Sequence, residues 1–84
     1  MNKVKWSKKA KKQLKRIPKN YQSAIMKAAS SLSEFPDCQN IIKLHDHIYD
    51  FRLRVGRYRI FFDYDGGIKI IEVQEVKKRD KRTY

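Results

Sequence analysis

Two stretches near the middle of the chain alternate between apolar and polar residues. The alternation runs through residues 49–55, stops at Gly56, and resumes through residues 58–64. Because successive side chains of a strand point to opposite faces of a sheet, this pattern predicts two strands. The glycine between them supplies the backbone freedom of a tight hairpin. The apolar rows expected to face a core are Tyr49, Phe51, Leu53 and Val55 in the first strand and Tyr58, Ile60, Phe62 and Tyr64 in the second.

Apolar residues in the first half of the chain recur at helical spacing instead. This spacing predicts a helix over residues 7–17, with Ser7 as its N-cap and Pro18 ending it. A second helix is predicted over residues 20–35, with Asn20 as its N-cap. The short connection between them indicates a helical hairpin. The apolar faces are Trp6, Ala10, Leu14 and Ile17 in the first helix and Tyr21, Ile25, Ala28, Leu32 and Phe35 in the second.

Shorter segments complete the predicted sheet. Residues 2–6 and 41–44 have the composition of short strands, and residues 68–76 follow an Asp-Gly-Gly turn. The apolar residues of 68–76 do not keep one parity, which indicates a β-bulge or a central position in the sheet. The order of the main elements, β-α-α-β-β-β, predicts an α+β fold. Its helical hairpin packs on one face of a small antiparallel sheet, and residues 1–84 form a single domain.

The polar side of the predicted hairpin carries a cluster of arginines. If the apolar rows face the core, Arg52, Arg54 and Arg59 stand together on the open face of the sheet. Like charges that face each other across strands are unfavourable without a counter-charge. Such a cluster is tolerated if it binds something anionic. The open face is therefore predicted to meet an anionic partner.

The charge of the whole chain agrees with an anionic partner. The formal net charge is +12, and residues 1–19 hold nine Lys or Arg and no acidic residue. Nucleic acid, an anionic membrane surface and an acidic protein are all compatible with this charge. The single cysteine, Cys38, cannot form an internal disulfide, so a reduced cytoplasmic setting is expected. No apolar run is long enough to span a membrane, and no membrane partner is expected.

The chemistry that the residues permit is limited. One cysteine and two histidines do not form a metal site, so neither a metal nor another cofactor is expected. Cys38 is interpreted as an inert loop thiol. His45 and His47 could act as acid and base in RNA cleavage, although a polar turn is the simpler interpretation.

A second possibility uses arginines for phosphate chemistry. RNA carries its own nucleophile, the 2′-OH, so cleavage needs alignment with the next phosphate and stabilisation of the added negative charge. Arg52, Arg59 and Arg79 could supply that stabilisation. Tyr84 could take or orient a proton if neighbouring cations lowered its pKa.

Three segments resemble the RelE/ParE superfamily of bacterial toxins from type II toxin–antitoxin modules. They read VKWSKKAKKQLKRIP at residues 4–18, YDFRLRVGRYRIFFDYDG at 49–66 and IIEVQEVKKRDKRTY at 70–84. The resemblance is greatest to the RelE branch, whose members cleave mRNA in the ribosomal A site. It implies a metal-independent, ribosome-dependent endoribonuclease that inhibits translation. Alternatives are a ParE-like inhibitor of DNA gyrase and a non-catalytic nucleic-acid-binding domain.

The resemblance also implies roles for particular residues. Arg59 matches a hairpin arginine that stabilises the transition state, and Arg52 matches a basic strand position. Arg79 matches an arginine after the last strand, and Tyr84 resembles a C-terminal tyrosine that helps to activate the 2′-OH. Asp50 stands where a second lysine would be expected. Further residues predicted to contact RNA are Arg54, Lys77, Lys78, Lys81 and Arg82, and on the first helix Lys8, Lys11, Lys12 and Lys15.

The lysines of the first helix have a simpler interpretation as a solvated face. Among partners, the resemblance implies a cognate antitoxin, acidic and partly disordered, that covers the toxin. It further implies the ribosome with its mRNA, and promoter DNA bound only through the antitoxin complex.

Overall fold

The computed structural model describes residues 1–79, which contain helices at one end of the chain and most of the strands at the other. The strands are β1 (Lys3–Trp6), β2 (Ile41–Lys43), β3 (Phe51–Val55), β4 (Tyr58–Asp65) and β5 (Ile70–Lys78). The helices are α1 (Lys8–Lys15), α2 (Lys19–Ser30) and a 3₁₀ helix (Ser31–Glu34). Within residues 1–79, no helix is long and apolar enough to cross a membrane.

The strands form one sheet in the order β1-β5-β4-β3-β2. The predicted α+β fold, with two helices packed on a small sheet, is confirmed. The strand predicted at residues 41–44 is present as β2, but the sheet is not wholly antiparallel as predicted. The short strand β2 joins the edge of β3, and β1 pairs with β5 in parallel, so the sheet is mixed. A parallel pairing requires a long connection between the strands. Nearly the whole chain separates β1 from β5, so no hairpin forces them to be antiparallel.

The central hairpin has the predicted register and faces. Leu53 pairs with Ile60 across β3 and β4, and the strands are joined at Gly56, whose φ of 56° suits a glycine. The predicted apolar rows of the two strands pack in the core. Tyr49 is the exception, and its placement in the core was wrong. It precedes β3 in an irregular segment, where strand alternation does not apply, and its hydroxyl bonds Glu75.

The mixed parity of the last strand has a structural cause. Phe61 pairs with Glu75 whereas Phe62 pairs with Val73, so Gln74 is an extra residue in β5. This β-bulge lets both Val73 and Val76 face the core although they are three residues apart. The predicted bulge and the central position of this strand are both confirmed.

The helices differ from the prediction at their ends. Ser7 caps α1 as predicted, since its hydroxyl accepts the Ala10 N–H at 3.0 Å. Asn20 is not an N-cap, because α2 begins one residue before it and Pro18 occupies the N-cap position. The Pro18 carbonyl accepts hydrogen bonds from the N–H groups of Tyr21 and Gln22 in the first turn of that helix. The second helix was predicted to extend to residue 35, but α2 ends at Ser30 and the chain continues as the 3₁₀ helix.

Helix α1 covers the edge of β5 that β1 leaves unpaired. β1 pairs with β5 only as far as Val73. Beyond that point the Ser7 hydroxyl donates to the Gln74 carbonyl at 3.0 Å, and the Val76 N–H donates to the Gln13 side-chain oxygen at 2.6 Å. An unpaired strand edge is thereby satisfied by helix side chains. The helices pack on one face and edge of the sheet, which leaves the opposite face of β3, β4 and β5 open.

Candidate functional site

The open face of the sheet brings four predicted arginines to one pocket. Arg54 and Arg59 are directly opposed across β3 and β4, and the Arg79 N–H donates to the Arg57 carbonyl at 2.6 Å, which continues the ladder beyond β5. The pocket has a volume of about 100 Å³. We call it the arginine pocket. It is lined by Arg52, Arg54, Gly56, Tyr58, Arg59 and Arg79.

Positive charge is crowded in this pocket. Burial lowers the pKa of Arg52, and the nearby charges of Arg59, Arg54 and Arg79 lower it further. Within residues 1–79, no carboxylate forms an ion pair with Arg52, Arg54 or Arg59. Guanidinium groups bind phosphate oxygens through paired, charge-assisted hydrogen bonds. The arrangement therefore suits a phosphate group, whose negative charge would offset the repulsion among the guanidinium groups.

The other predicted residues near the C-terminus are placed differently from one another. Lys77 lies opposite Arg59 on the same face, but its ammonium group pairs with Glu75 at 3.1 Å. Lys78 is exposed, and its backbone lies opposite Tyr58 in the pairing of β5 with β4. Three predicted residues, Lys81, Arg82 and Tyr84, lie outside the described residues.

The first helix does not contribute to the pocket. Its four candidate lysines are exposed along α1, beside β5, and none of them lines the arginine pocket. They are Lys8, Lys11, Lys12 and Lys15.

Asp50, which departs from the expected lysine, lies away from the arginines. Its N–H donates to a carboxylate oxygen of Asp63 at 2.9 Å, and its own carboxylate accepts the Tyr64 N–H at 3.5 Å. Asp63 also accepts a hydrogen bond from Gln74 at 3.1 Å. The open face thus changes from basic around the pocket to acidic at its other end. Asp50 belongs to the acidic end and does not line the pocket.

Beside the pocket lies a buried carboxylate that the sequence did not reveal. Glu75 is only 5% exposed. One of its oxygens accepts hydrogen bonds from Lys9 at 3.0 Å and from the Tyr49 hydroxyl at 2.9 Å, and Lys77 pairs with the other. The signal that could have found it is the predicted bulge, which turns Glu75 to the open face opposite Phe61.

The contacts of Glu75 set its charge state. Burial alone would raise the pKa of this carboxyl group. Hydrogen bonds from Lys9, Lys77 and Tyr49 outweigh burial and hold the pKa below its ordinary value. Burial, together with the hydrogen bond to Glu75, raises the pKa of Tyr49. Glu75 is therefore an anion at neutral pH, and Tyr49 remains a neutral hydrogen-bond donor.

The two histidines do not form a pair. Strand alternation would place both side chains on one side, but residues 45–50 are irregular and Asp46 has a φ of 52°. His47 stacks on Phe61, with ring centroids 5.3 Å apart and planes 6° apart. Within residues 1–79, the His45 side chain makes no hydrogen bond, ion pair or ring contact.

The described part of the chain offers little for other chemistry. In residues 1–79, no group of three or more His, Cys, Asp or Glu side chains could hold a metal ion. Cys38 donates to the Ser31 carbonyl, and burial raises the pKa of its thiol, which disfavours the reactive thiolate. Among the described residues, the arginines of the pocket are the group best suited to hold an anion.

A match to a known protein family covers almost the whole chain. A family model described as the ParE toxin of type II toxin–antitoxin systems matches residues 4–82. The chain belongs to this toxin family. Membership of the RelE/ParE superfamily, which the sequence motifs predicted, is confirmed. None of the curated protein sequences matches the chain.

Solved structures of RelE toxins share the fold of this ParE-family toxin. A chain of the archaeal RelE–RelB complex from Pyrococcus horikoshii OT3 has a TM-score of 0.81 and 26% identity, covering 95% of this chain and 97% of that one. A chain of the RelBE2 toxin–antitoxin complex from Mycobacterium tuberculosis has a TM-score of 0.82 and 22% identity, covering 93% and 98%. The isolated E. coli RelE toxin has a TM-score of 0.81 and 14% identity, covering 99% and 89%.

Proposed function

We propose that this toxin is an endoribonuclease that cleaves mRNA in the ribosomal A site and so inhibits translation. The observation that carries the proposal is the arginine pocket, which Arg52, Arg59 and Arg79 line together. A nuclease requires a site that holds the phosphate to be cleaved, and clustered guanidinium groups suit such a site. The structural likeness to RelE toxins supports the same function.

The proposed reaction uses the nucleophile that RNA carries. The 2′-OH gives up its proton as its oxygen attacks the adjacent phosphorus, the bond from phosphorus to the 5′-oxygen breaks, and the leaving 5′-oxygen takes a proton from water. The products are a 2′,3′-cyclic phosphate and a free 5′-hydroxyl. Arg59 and Arg52 donate hydrogen bonds to the non-bridging oxygens as negative charge builds up. Arg79 lines the same pocket and adds its charge on the leaving side. No metal ion takes part.

Proton transfer is assigned to the end of the chain. Arginine holds its proton too tightly to act as a base. Tyr84 takes or orients the proton of the 2′-OH, a role that follows from its likeness to the C-terminal tyrosine of the RelE branch.

The proposed partners follow from charge and from the relatives. RelE forms complexes with RelB in the solved structures, so we assign this toxin a cognate acidic antitoxin. Promoter DNA is bound only through that complex. On the cytoplasmic ribosome, the lysines of α1 contact rRNA and Arg54, Lys77 and Lys78 contact the mRNA. These contacts would be salt-dependent and largely independent of sequence.

Inhibition of DNA gyrase is a second candidate, because the matching family model is that of ParE. A supercoiling assay with purified gyrase tests it directly. Inhibition at toxin concentrations that leave mRNA intact would favour this candidate over the nuclease. We expect no inhibition at concentrations that cleave ribosome-bound mRNA.

Primer extension of a cellular mRNA after induction of the toxin tests the nuclease proposal. We expect breaks confined to translated frames with the parent toxin. The breaks should be about 100-fold weaker or absent with Arg59→Ala, the range for losing one charge-stabilising donor. Intact cleavage by a folded Arg59→Ala protein would contradict the proposal, as would toxicity without any breaks.

A further inference from the structure

An aromatic pair occupies the open face next to the arginine pocket. Phe61 points away from the helices, yet it is only 7% exposed. His47 covers it in a parallel stack at 5.3 Å, and Tyr49 contacts it at a tilt with centroids 5.7 Å apart. The His47 residue is itself exposed. We call this pair the His47–Phe61 platform.

The register places the platform beside the pocket arginines. Phe61 is directly opposite Arg52 on β3 and lies two residues from Arg59 on the same face of β4. Directly opposed residues have Cβ atoms about 5 Å apart, and residues two apart on a strand are separated by about 7 Å. The platform is therefore within one nucleotide of a phosphate held in the pocket.

The platform is held in place by a chain of hydrogen bonds. Buried Glu75 accepts from the Tyr49 hydroxyl at 2.9 Å. The Tyr49 N–H donates to Nδ1 of His47 at 3.1 Å, which fixes the orientation of the imidazole ring. Lys9 and Lys77 hold Glu75 from both sides.

Aromatic rings beside cations are a recurring way to bind single-stranded nucleic acid. The bases stack on the rings while the cations hold the backbone. Resting on the endoribonuclease function, we propose that the His47–Phe61 platform stacks one nucleobase of the mRNA next to the phosphate bound in the arginine pocket. Stacking there fixes the nucleotide relative to Arg52 and Arg59. Because a purine offers a larger ring surface, the platform favours purines over pyrimidines at that position.

Two single substitutions of His47 distinguish stacking of a nucleobase on its ring from acid–base chemistry by its ring nitrogens. His47→Ala removes the ring, whereas His47→Phe keeps an aromatic face but cannot carry a proton. His45→Ala is the matched control, since His45 lies in the same irregular segment and its side chain makes no hydrogen bond, ion pair or ring contact within residues 1–79. Circular dichroism and thermal unfolding verify that each purified full-length variant is folded.

The readout is the fluorescence of 2-aminopurine, which is quenched when the base stacks. The probe is a short RNA with a 2′-deoxynucleotide at the cleavage site, and 2-aminopurine is placed in turn on each side of it. We expect quenching at one of these positions with the parent, His47→Phe and His45→Ala. With His47→Ala we expect the quenching to be lost and binding to weaken about tenfold, within the range of one base stack. Equal quenching by His47→Ala and the parent would overturn the proposal, as would a loss in His47→Phe as large as that in His47→Ala.

Cleavage on the ribosome distinguishes a failure of this proposal from a failure of the nuclease function. If the parent quenches the probe but cleaves no ribosome-bound mRNA, the nuclease function is wrong and the platform stands. If the parent cleaves while all His47 variants match it in both assays, the platform is wrong and the nuclease function stands.

Discussion

At the scale of single residues, Glu75 joins parts of the chain that are distant in sequence. Its carboxylate connects Lys9 of α1, Tyr49 of the segment before β3 and Lys77 of its own strand. A buried carboxylate is stable only when such donors compensate for lost water. The consequence is that the charge of one residue orders the surface beside the arginine pocket.

The stability contributed by Glu75 should depend on pH. Because its pKa is held below its ordinary value near 4.5, ionised Glu75 stabilises the fold above that pH. The contribution is lost as the pH falls through the lowered pKa. We expect the free energy of unfolding of the parent to exceed that of Glu75→Gln most at about pH 7. The difference in the free energy of unfolding should shrink steadily as the pH falls below 4.5, the ordinary pKa of this carboxyl group.

Chemical denaturation of both proteins across this pH range is the measurement. Glu72→Gln, an exposed site on the same strand, controls for the loss of one negative charge and should change stability by less than about 0.5 kcal/mol. A difference between parent and Glu75→Gln that stayed constant with pH would show that the ionised form of Glu75 is not what stabilises the fold.

Single residues also show what the alternation of apolar and polar positions along a strand can and cannot predict. The arginine face followed from strand parity, because Arg52, Arg54 and Arg59 lie in regular paired strands. Tyr49 and Glu75 could not be placed in this way. Tyr49 lies in an irregular segment and Glu75 follows a bulge, so local parity no longer reports which face a side chain occupies.

At the scale of elements, the docking of α1 on β5 replaces a missing strand. β1 stops at Trp6, and the chain turns into a helix whose side chains satisfy the edge of β5. The sequence predicted the helix from its apolar spacing and the last strand from the Asp-Gly-Gly turn that precedes it. It could not predict that one polar residue within the helix, Gln13, would accept a strand N–H, because that contact depends on tertiary packing.

Gln13→Met tests this docking. The change keeps the size of the side chain but leaves the Val76 N–H without its acceptor. We expect a loss of about 1–3 kcal/mol in the free energy of unfolding, the usual cost of an unsatisfied buried donor. Amide hydrogen exchange at Val76 should become faster.

The neighbouring exposed residue provides the control. Lys12→Met on the same helix should change stability by no more than about 0.5 kcal/mol and leave exchange at Val76 unchanged. If Gln13→Met were as stable as Lys12→Met, with unaltered exchange, the edge contact would not contribute to the fold.

At the scale of the whole molecule, the sheet separates folding from function. One face packs against the helices and holds the core, while the open face holds the pocket, the platform and an acidic end. Crowded arginines cost stability without a counter-ion, and a net charge of +12 adds to that cost. A bound RNA phosphate or an acidic antitoxin would relieve it.

The rate of mRNA cleavage on purified, programmed ribosomes measures the catalytic role of the arginine pocket with the fewest intervening steps. Single-turnover rates would be compared for the parent, Arg59→Ala and Arg57→Ala. Arg57 lies in the same hairpin and does not line the pocket, and its carbonyl bond to Arg79 survives the substitution. If the arginine pocket stabilises the transition state, Arg59→Ala should be slower by about 100-fold or more while Arg57→Ala stays near the parent rate. Equal rates for folded Arg59→Ala and Arg57→Ala would contradict the account.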